Sequence, residues 1–142
     1  MSFDIKQQLQ KNLIALISVI IAITALSYNS WRNELSEDNR NVRAAGFEIM
    51  REAAQLQYFI DVTTYSDSAM DEEVIQGWVS VNLMVSLSEL MSPQVLAKAQ
   101  GLRKTWASNW SQLANDKAAN VTVTEAVNQL VDEVRQHLRS LK

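Results

Sequence analysis

The uncharged run Leu13-Ile-Ala-Leu-Ile-Ser-Val-Ile-Ile-Ala-Ile-Thr-Ala-Leu-Ser-Tyr28 lies near the start of the chain and is its most informative segment. Nine of its sixteen residues are Leu, Ile or Val. At roughly −0.3 to −0.6 kcal/mol each, these nine contribute about −3 to −5 kcal/mol to membrane insertion. Extended to Trp31, the run has about 19 residues, close to the ~20 that a helix needs to cross the hydrocarbon core. The sequence therefore predicts a transmembrane helix over residues 13–31.

Basic and aromatic residues flank this run. Lys6 and Lys11 lie in the short segment 1–12 ahead of it, and Tyr28 and Trp31 lie at its other end. Because such side chains favour the headgroup region, Tyr28, Trp31 and Lys11 are the predicted membrane-interface anchors. A short basic head before an apolar run is typical of a signal-anchor, which would leave the bulk of the chain on the outer side of the membrane. For a bacterial inner membrane, that side is the periplasm. The opposite, cytoplasmic orientation stays open, since Lys and Arg are nearly balanced across the run.

The run has two other interpretations. Ala25-Leu-Ser27 loosely fits the small-residue pattern of a signal-peptide cleavage site, so removal of residues 1–27 would release a secreted soluble bundle. A buried core helix is disfavoured, because so long an uninterrupted apolar run is unusual in a small soluble domain.

Residues 32–142 show helical periodicity in four segments, with breaks at residues 63–68 and 115–120. Leu35, Val42, Ile49 and Leu56 recur every seven residues and define the seam of the first helix after the membrane run. No Pro interrupts residues 1–92, so this helix is expected to continue unbroken from the membrane segment. The predicted helices cover about residues 33–64, 69–91, 93–115 and 122–142.

Capping patterns set three of the predicted helix starts. Ser or Thr with an acidic residue three positions later forms a capping box, and Ser followed by Pro marks an N-cap and first helical position. The pairs are Ser68 with Asp71, Ser92 with Pro93, and Thr122 with Glu125. Short connections favour antiparallel neighbours. We therefore predict an all-α fold in which an N-terminal transmembrane helix continues into an antiparallel up-down four-helix bundle.

The composition argues against most kinds of catalytic and metal-binding site. The 142 residues include no Cys, one His and three Gly, with 13 Lys and Arg against 16 Asp and Glu. A disulfide framework, a thiolate zinc site and a cysteine nucleophile are excluded, and a net charge of −3 gives no reason to expect nucleic acid. The sequence has no Gly-x-Ser-x-Gly elbow and no phosphate-binding Gly-rich loop. We expect no enzymatic activity, no cofactor and no metal.

Individual polar residues have simple explanations. His137 follows Glu133 by four residues, but a di-metal bundle site requires two Glu-x-x-His motifs and further carboxylates, so His137 is interpreted as a surface or seam-edge residue. The cluster Asp71-Glu-Glu73 is interpreted as a solvated helix N-terminus. Asn82 is either a rim residue or a buried register-setting residue. Asn109-Trp-Ser111 and Asn120-Val-Thr122 match the glycosylation sequon, which is short enough to arise by chance.

The aromatic residues are the candidate site. Trp78, Trp106, Trp110 and Tyr58 could line a pocket for an apolar or cationic ligand, or simply fill the core. Four Trp in 142 residues is a high content, and Trp is enriched at protein interfaces. These four residues are the predicted ligand or interface aromatics.

One stretch carries a family resemblance. Ser27-Tyr-Asn-Ser-Trp-Arg-Asn-Glu34, followed by Glu37-Asp-Asn-Arg-Asn41, resembles the juxtamembrane stretch of small bacterial single-span proteins of unassigned function. It covers under a fifth of the chain and implies a bacterial single-span protein. The predicted bundle is also similar in architecture to sensor bundles of chemoreceptor type. Those usually add a second span and an output domain, which this sequence lacks, so independent signalling is not expected.

These observations lead to three functional hypotheses. The first is an interaction protein: a single-span anchor that presents a helical bundle to a protein partner or to a copy of itself. Its basis is the second helix, which is apolar over more than one face. The second is a ligand-sensing bundle with a Trp-lined pocket, and the third is the secreted soluble bundle.

Overall fold

The computed structural model describes residues 5–65 and 71–141, with side chains chiefly from residue 12 onward in the first range and from residue 75 onward in the second. Every regular element in these ranges is helical. Helix α1 spans Ile5–Tyr65, α2 spans Asp71–Ser88, α3 spans Pro93–Asn109 and α4 spans Lys117–Ser140, with a short 3-10 turn at Trp110–Gln112 between the last two. The all-α prediction is confirmed.

Helix α1 has 61 residues and contains both the predicted membrane segment and the predicted first bundle helix. The expectation of an unbroken helix is therefore confirmed, in keeping with the absence of Pro before residue 93. The chain divides into two compact units, Met1–Asp38 and Asn39–Lys142. The division falls within α1, later in the chain than the predicted boundary between residues 31 and 32.

The first unit exposes its apolar side chains. Every side chain that is described between residues 12 and 38 is exposed, including those of the large apolar residues from Leu13 to Leu26. The hydroxyls of Ser18 and Thr24 donate to the carbonyls of Ile14 and Ile20, each at 2.8 Å, so neither hydroxyl is left unpaired in the run. By length and composition, this helix can cross a membrane.

The second unit has one hydrophobic core, to which all four helices contribute. Its seams largely follow the predicted periodicity: Ile49 and Leu56 of α1 are fully buried, whereas Val42 is only half-buried and Leu35, in the first unit, is exposed. The largest fully buried side chains are those of Trp106, Ile49, Leu56, Ile60, Met84, Leu102, Leu113 and Leu130.

In the structure, α2 ends earlier than predicted, whereas α3 begins at the predicted residue. Helix α2 ends at Ser88, three residues before the predicted end at residue 91. Helix α3 begins at Pro93 as predicted, and the Ser92 hydroxyl accepts a hydrogen bond from the Val95 N–H at 3.3 Å. The predicted cap at Ser68 lies outside the described residues.

The connection between α3 and α4 differs from the predicted one. Helix α3 ends at Asn109 rather than at residue 115, and α4 begins at Lys117 rather than at Thr122. The Asp116 carboxylate accepts from the Ala118 N–H at 2.8 Å and is the actual N-cap. Inside the helix, the Thr122 hydroxyl instead donates to the Ala118 carbonyl at 2.9 Å. The capping box at Thr122 was therefore wrong, because an earlier acidic cap was available.

Contacts from α1 to its neighbours follow a regular order. Gly46 of α1 lies next to Leu138 of α4, Gln57 bonds to Thr124, and Asp61 bonds to Asn120. Residue numbers therefore rise along α1 as they fall along α4. On its other flank, α1 contacts α2 through Glu52 with Ser80 and through Phe59 near Gly77, again in reversed order. Helices α3 and α4 are linked by Lys98 Nζ, which donates to Gln129 Oε1 at 3.2 Å.

Candidate interaction surface

Three of the predicted aromatic residues take part in the core of the second unit. Trp106 is fully buried, and its ring lies 5.8 Å from that of Phe59 and 6.3 Å from that of Trp78 in an edge-on arrangement. Trp78 and Trp110 are half-buried and pack against the same core. The tryptophans thus fill space between the helices, and the closest ring geometries are those of ordinary aromatic packing.

Gly77 makes this packing possible. A Cβ at this position would lie 2.5 Å from Cζ2 and 2.7 Å from Cη2 of Trp106. Only glycine lets α2 approach the indole so closely without a shift of the ring. Sequence reasoning did not select Gly77, although a glycine in the middle of an apolar helix was a usable indication of close packing.

Tyr58 lies apart from the tryptophans. The residue is 71% exposed, and it borders a groove of about 500 Å³. The groove lies between α1 and α2 and is lined by Arg51, Ala54, Gln55, Tyr58, Phe59 and Gln76. The predicted group of four aromatics is therefore split, with Tyr58 facing solvent and Phe59, which was not selected, shared by the groove and the core.

The two helices that line this groove also expose apolar side chains elsewhere on their surfaces. On α1, Phe47, Ala54 and Tyr58 are spaced by seven and four residues and so share one side of the helix. On α2, Val79 and Leu83 follow Gln76 at intervals of three and four residues. We call this set the α1–α2 face; its exposed fractions include 63% for Phe47 and 51% for Val79.

A buried polar contact links the two helices next to the groove. The Glu52 side chain is buried, and its Oε2 accepts from the Ser80 hydroxyl at 2.7 Å. Arg51 Nη2 lies 3.6 Å from the other carboxylate oxygen and also pairs with the exposed Glu48. The guanidinium at the edge of the groove thus lies between two carboxylates. Sequence reasoning passed over Glu52, since an isolated Glu on a helix is usually solvated.

A second polar network joins α1 to α4. Asn120 is buried, and its amide nitrogen donates to Asp61 Oδ1 at 3.0 Å and to Thr64 Oγ1 at 3.1 Å. Gln57 Nε2 donates to Asp61 Oδ1 at 3.1 Å and to Thr124 Oγ1 at 2.9 Å. The sequence placed residue 120 in a loop, whereas the structure uses its side chain to fix the pairing of two helices. Its sequon is correspondingly inaccessible.

The remaining predicted residues that the structure describes do not come together in one site. His137 and Glu133 are half-buried on α4, Asn82 is exposed on α2, and the amide of Asn109 donates to the Thr105 carbonyl at 2.7 Å. In the part of the chain that the structure describes, no three His, Cys, Asp or Glu residues are grouped so as to hold a metal ion. The side chains of residues 71–73 lie outside that part.

Of the predicted membrane-interface residues, Tyr28 and Trp31 are both exposed and adjacent on α1, with ring centroids 6.2 Å apart. Lys11 falls within α1, but its side chain is outside the described residues.

Three comparisons with known proteins found no match. No protein-family model, no curated protein sequence and no solved structure matches the chain.

Proposed function

We propose that this chain is a non-enzymatic, single-span membrane protein that presents the α1–α2 face of a helical bundle to a protein partner. The observation that carries the proposal is the exposed apolar surface of this face. Aromatic residues and Arg are enriched at the centres of protein interfaces; this face carries Phe47 and Tyr58, and Arg51 lines the groove beside Tyr58. Exposed apolar surface is a common feature of interaction sites.

The bundle in this proposal is an antiparallel up-down four-helix bundle. The reversed order of contacts that α1 makes with α2 and with α4 supports it. So does the short connection through Ser92 between α2 and α3, since helices joined by short loops pack as antiparallel neighbours.

The anchor in this proposal is residues 13–31, in a bacterial inner membrane with the bulk of the chain in the periplasm. The exposed apolar surface of this part of α1 would be unfavourable in water and is favourable in a bilayer. Tyr28 and Trp31 supply adjacent interfacial rings at its end.

The anchor is tested with Ile20→Lys. A charge at the centre of a span costs about 2.5–3.5 kcal/mol on an insertion scale, so the variant should leave the membrane fraction. Ile20→Leu is the matched control and should fractionate as the wild-type chain does. The orientation is read from Ser140→Cys: labelling of intact cells by a membrane-impermeant maleimide supports the periplasmic placement, and protection until lysis contradicts it.

The interaction is tested by site-specific photocrosslinking in membranes. A photoreactive amino acid replaces Tyr58 in the full-length chain, and a second variant carries it at Val121, which is also exposed to solvent, on α4, but lies outside the α1–α2 face. We expect a protein adduct from position 58 and none from position 121. The absence of any adduct at position 58, or equal adducts at both, would contradict the proposal.

A second candidate function is ligand sensing, which the groove itself favours. Its volume of about 500 Å³ is in the range of small-molecule sites. The site would be lined by Tyr58 and Phe59, because Trp106 is closed off in the core. Since Phe59 contacts Trp106, a ligand in the groove would change the tryptophan fluorescence. A flat response to a panel of apolar metabolites would count against this function.

A further inference from the structure

We infer that the partner of the α1–α2 face is a second copy of this chain, related by a two-fold axis perpendicular to the membrane. The inference rests on the proposed function and specifies its partner. In this arrangement, the exposed side of α1 in one copy packs against the same side of α1 in the other, over and beside the groove.

The size and composition of the surface fit a dimer. The exposed parts of the five residues of the α1–α2 face amount to roughly 500 Å² of apolar area, given that a large aromatic side chain contributes about 150–250 Å². The stems of Arg51, Gln55 and Gln76 around the groove add to this area. A standard interface buries about 800 Å² per partner, and homodimer interfaces are about 65% apolar. The face therefore supplies the apolar share of one complete interface.

The face is also complementary to itself in shape. A two-fold interface requires that the same patch carry both a protruding group and a recess, since each must meet its counterpart on the other copy. Here the protruding Tyr58 ring stands at the border of the groove that Ala54 and Phe59 line. The small side chain of Ala54 leaves room for the ring of the other copy.

The charges on the face are balanced. Arg51 and Glu48 are paired on α1, and their side chains are 62% and 36% exposed. In a two-fold dimer, each copy therefore presents both an exposed guanidinium and an exposed carboxylate to the other. A strongly acidic or basic partner would find no net charge to match.

The anchor restricts the geometry. Two copies inserted in one membrane have the same orientation, so a two-fold axis that relates them is perpendicular to the membrane. Confinement to two dimensions also raises the effective concentration of copies, so the face needs less affinity than it would need in solution.

Cysteine crosslinking of the full-length chain in its membrane tests this inference. The chain contains no cysteine, so Ala54→Cys introduces a single reactive group on the face. Ala107→Cys is the matched control, an exposed alanine on α3 outside the face. Under mild oxidation we expect a dimer band from Ala54→Cys that is at least about tenfold stronger than that from Ala107→Cys. Equal crosslinking would reflect random collision, and absence of the dimer would show that the face does not self-associate; either result overturns the inference.

A disrupting substitution gives an independent readout. Adding Tyr58→Asp to Ala54→Cys should reduce the dimer band by about tenfold or more, because two unpaired carboxylates would be buried near the axis. Val121→Asp in the same background should leave it unchanged. Both positions are solvent-exposed, so the circular dichroism and melting temperature should stay as in the parent. A dimer band that persists with Tyr58→Asp overturns the inference.

The photocrosslink at position 58 separates this inference from the proposed function. An adduct made of two copies of the chain supports both. An adduct with a different protein, together with no Ala54→Cys dimer, overturns the second-copy partner and leaves the interaction function standing. No adduct and no dimer overturn both.

Discussion

Helices α2 and α4 pack on the same core, but they use their apolar residues differently. In α4 the large apolar side chains are buried or half-buried, with Val121 the exposed exception among the described residues. In α2, Val81, Met84 and Val85 face the core, while Ile75, Val79 and Leu83 face solvent. A helix with one apolar face needs only the core, whereas a helix with two has apolar surface that the chain itself does not cover. The difference shows that α2, unlike α4, exposes a second row of large apolar side chains.

The largest expected effect on stability concerns the buried face of α4. Leu130→Ala on α4 should cost roughly 2–5 kcal/mol of unfolding free energy, because the side chain is fully buried and leaves a cavity. Leu83→Ala on α2 makes the same chemical change at a position that is 37% exposed and should cost clearly less. Denaturant unfolding of both variants measures the difference. Equal losses would mean that α2 and α4 do not differ as described.

Gly77→Ala probes the inner face of α2. The added Cβ would lie 2.5 Å from the Trp106 ring, so we expect a loss of about 1–3 kcal/mol from overpacking, despite the better helix propensity of alanine. The control is Gly101→Ala on α3, where the structure has nothing within 4 Å of the new methyl group. That variant should gain up to about 1 kcal/mol. Thermal unfolding followed by circular dichroism distinguishes the two signs, and a stabilised Gly77→Ala protein would refute the close packing.

Asp116→Ala probes the start of α4. Loss of the N-cap should destabilise the chain by roughly 0.5–2 kcal/mol. Thr122→Ala removes only a hydroxyl that bonds to the preceding turn of the same helix, and its effect should stay within about 0.5 kcal/mol. If Thr122→Ala proved the more damaging substitution in urea unfolding, the helix would begin where the capping box placed it.

Val79→Ser probes the outer face of α2 and should have the smallest effect on folding, within about 0.5 kcal/mol. The same substitution should nevertheless weaken the protein adduct formed at position 58. Stability and crosslinking should therefore respond differently to it. Unfolding and photocrosslinking on one preparation measure both. A variant that unfolds early but crosslinks normally would indicate that Val79 serves the core and not a partner.

Local patterns predicted much of the architecture. The membrane-length run, the helical character of the whole chain, the start of α3 at Pro93 and the buried seams of α1 and α4 follow from residues within a few turns of each other. The site was predicted only in part, since Trp78 and Trp106 do meet while Tyr58 lies outside. Phe59, Gly77 and Glu52 were missed because their roles depend on which helix packs against them.

The sequence by itself determined that the chain is helical, that α1 continues without a break, and that its first part can cross a membrane, because backbone propensity and apolar periodicity act along the chain. Only the tertiary structure decided that Asn120 is buried between α1 and α4, that Gly77 admits Trp106, and that Tyr58 borders an open groove. Those features depend on which faces of helices distant in sequence pack together, because that packing, and not any single helix, decides which residues are buried.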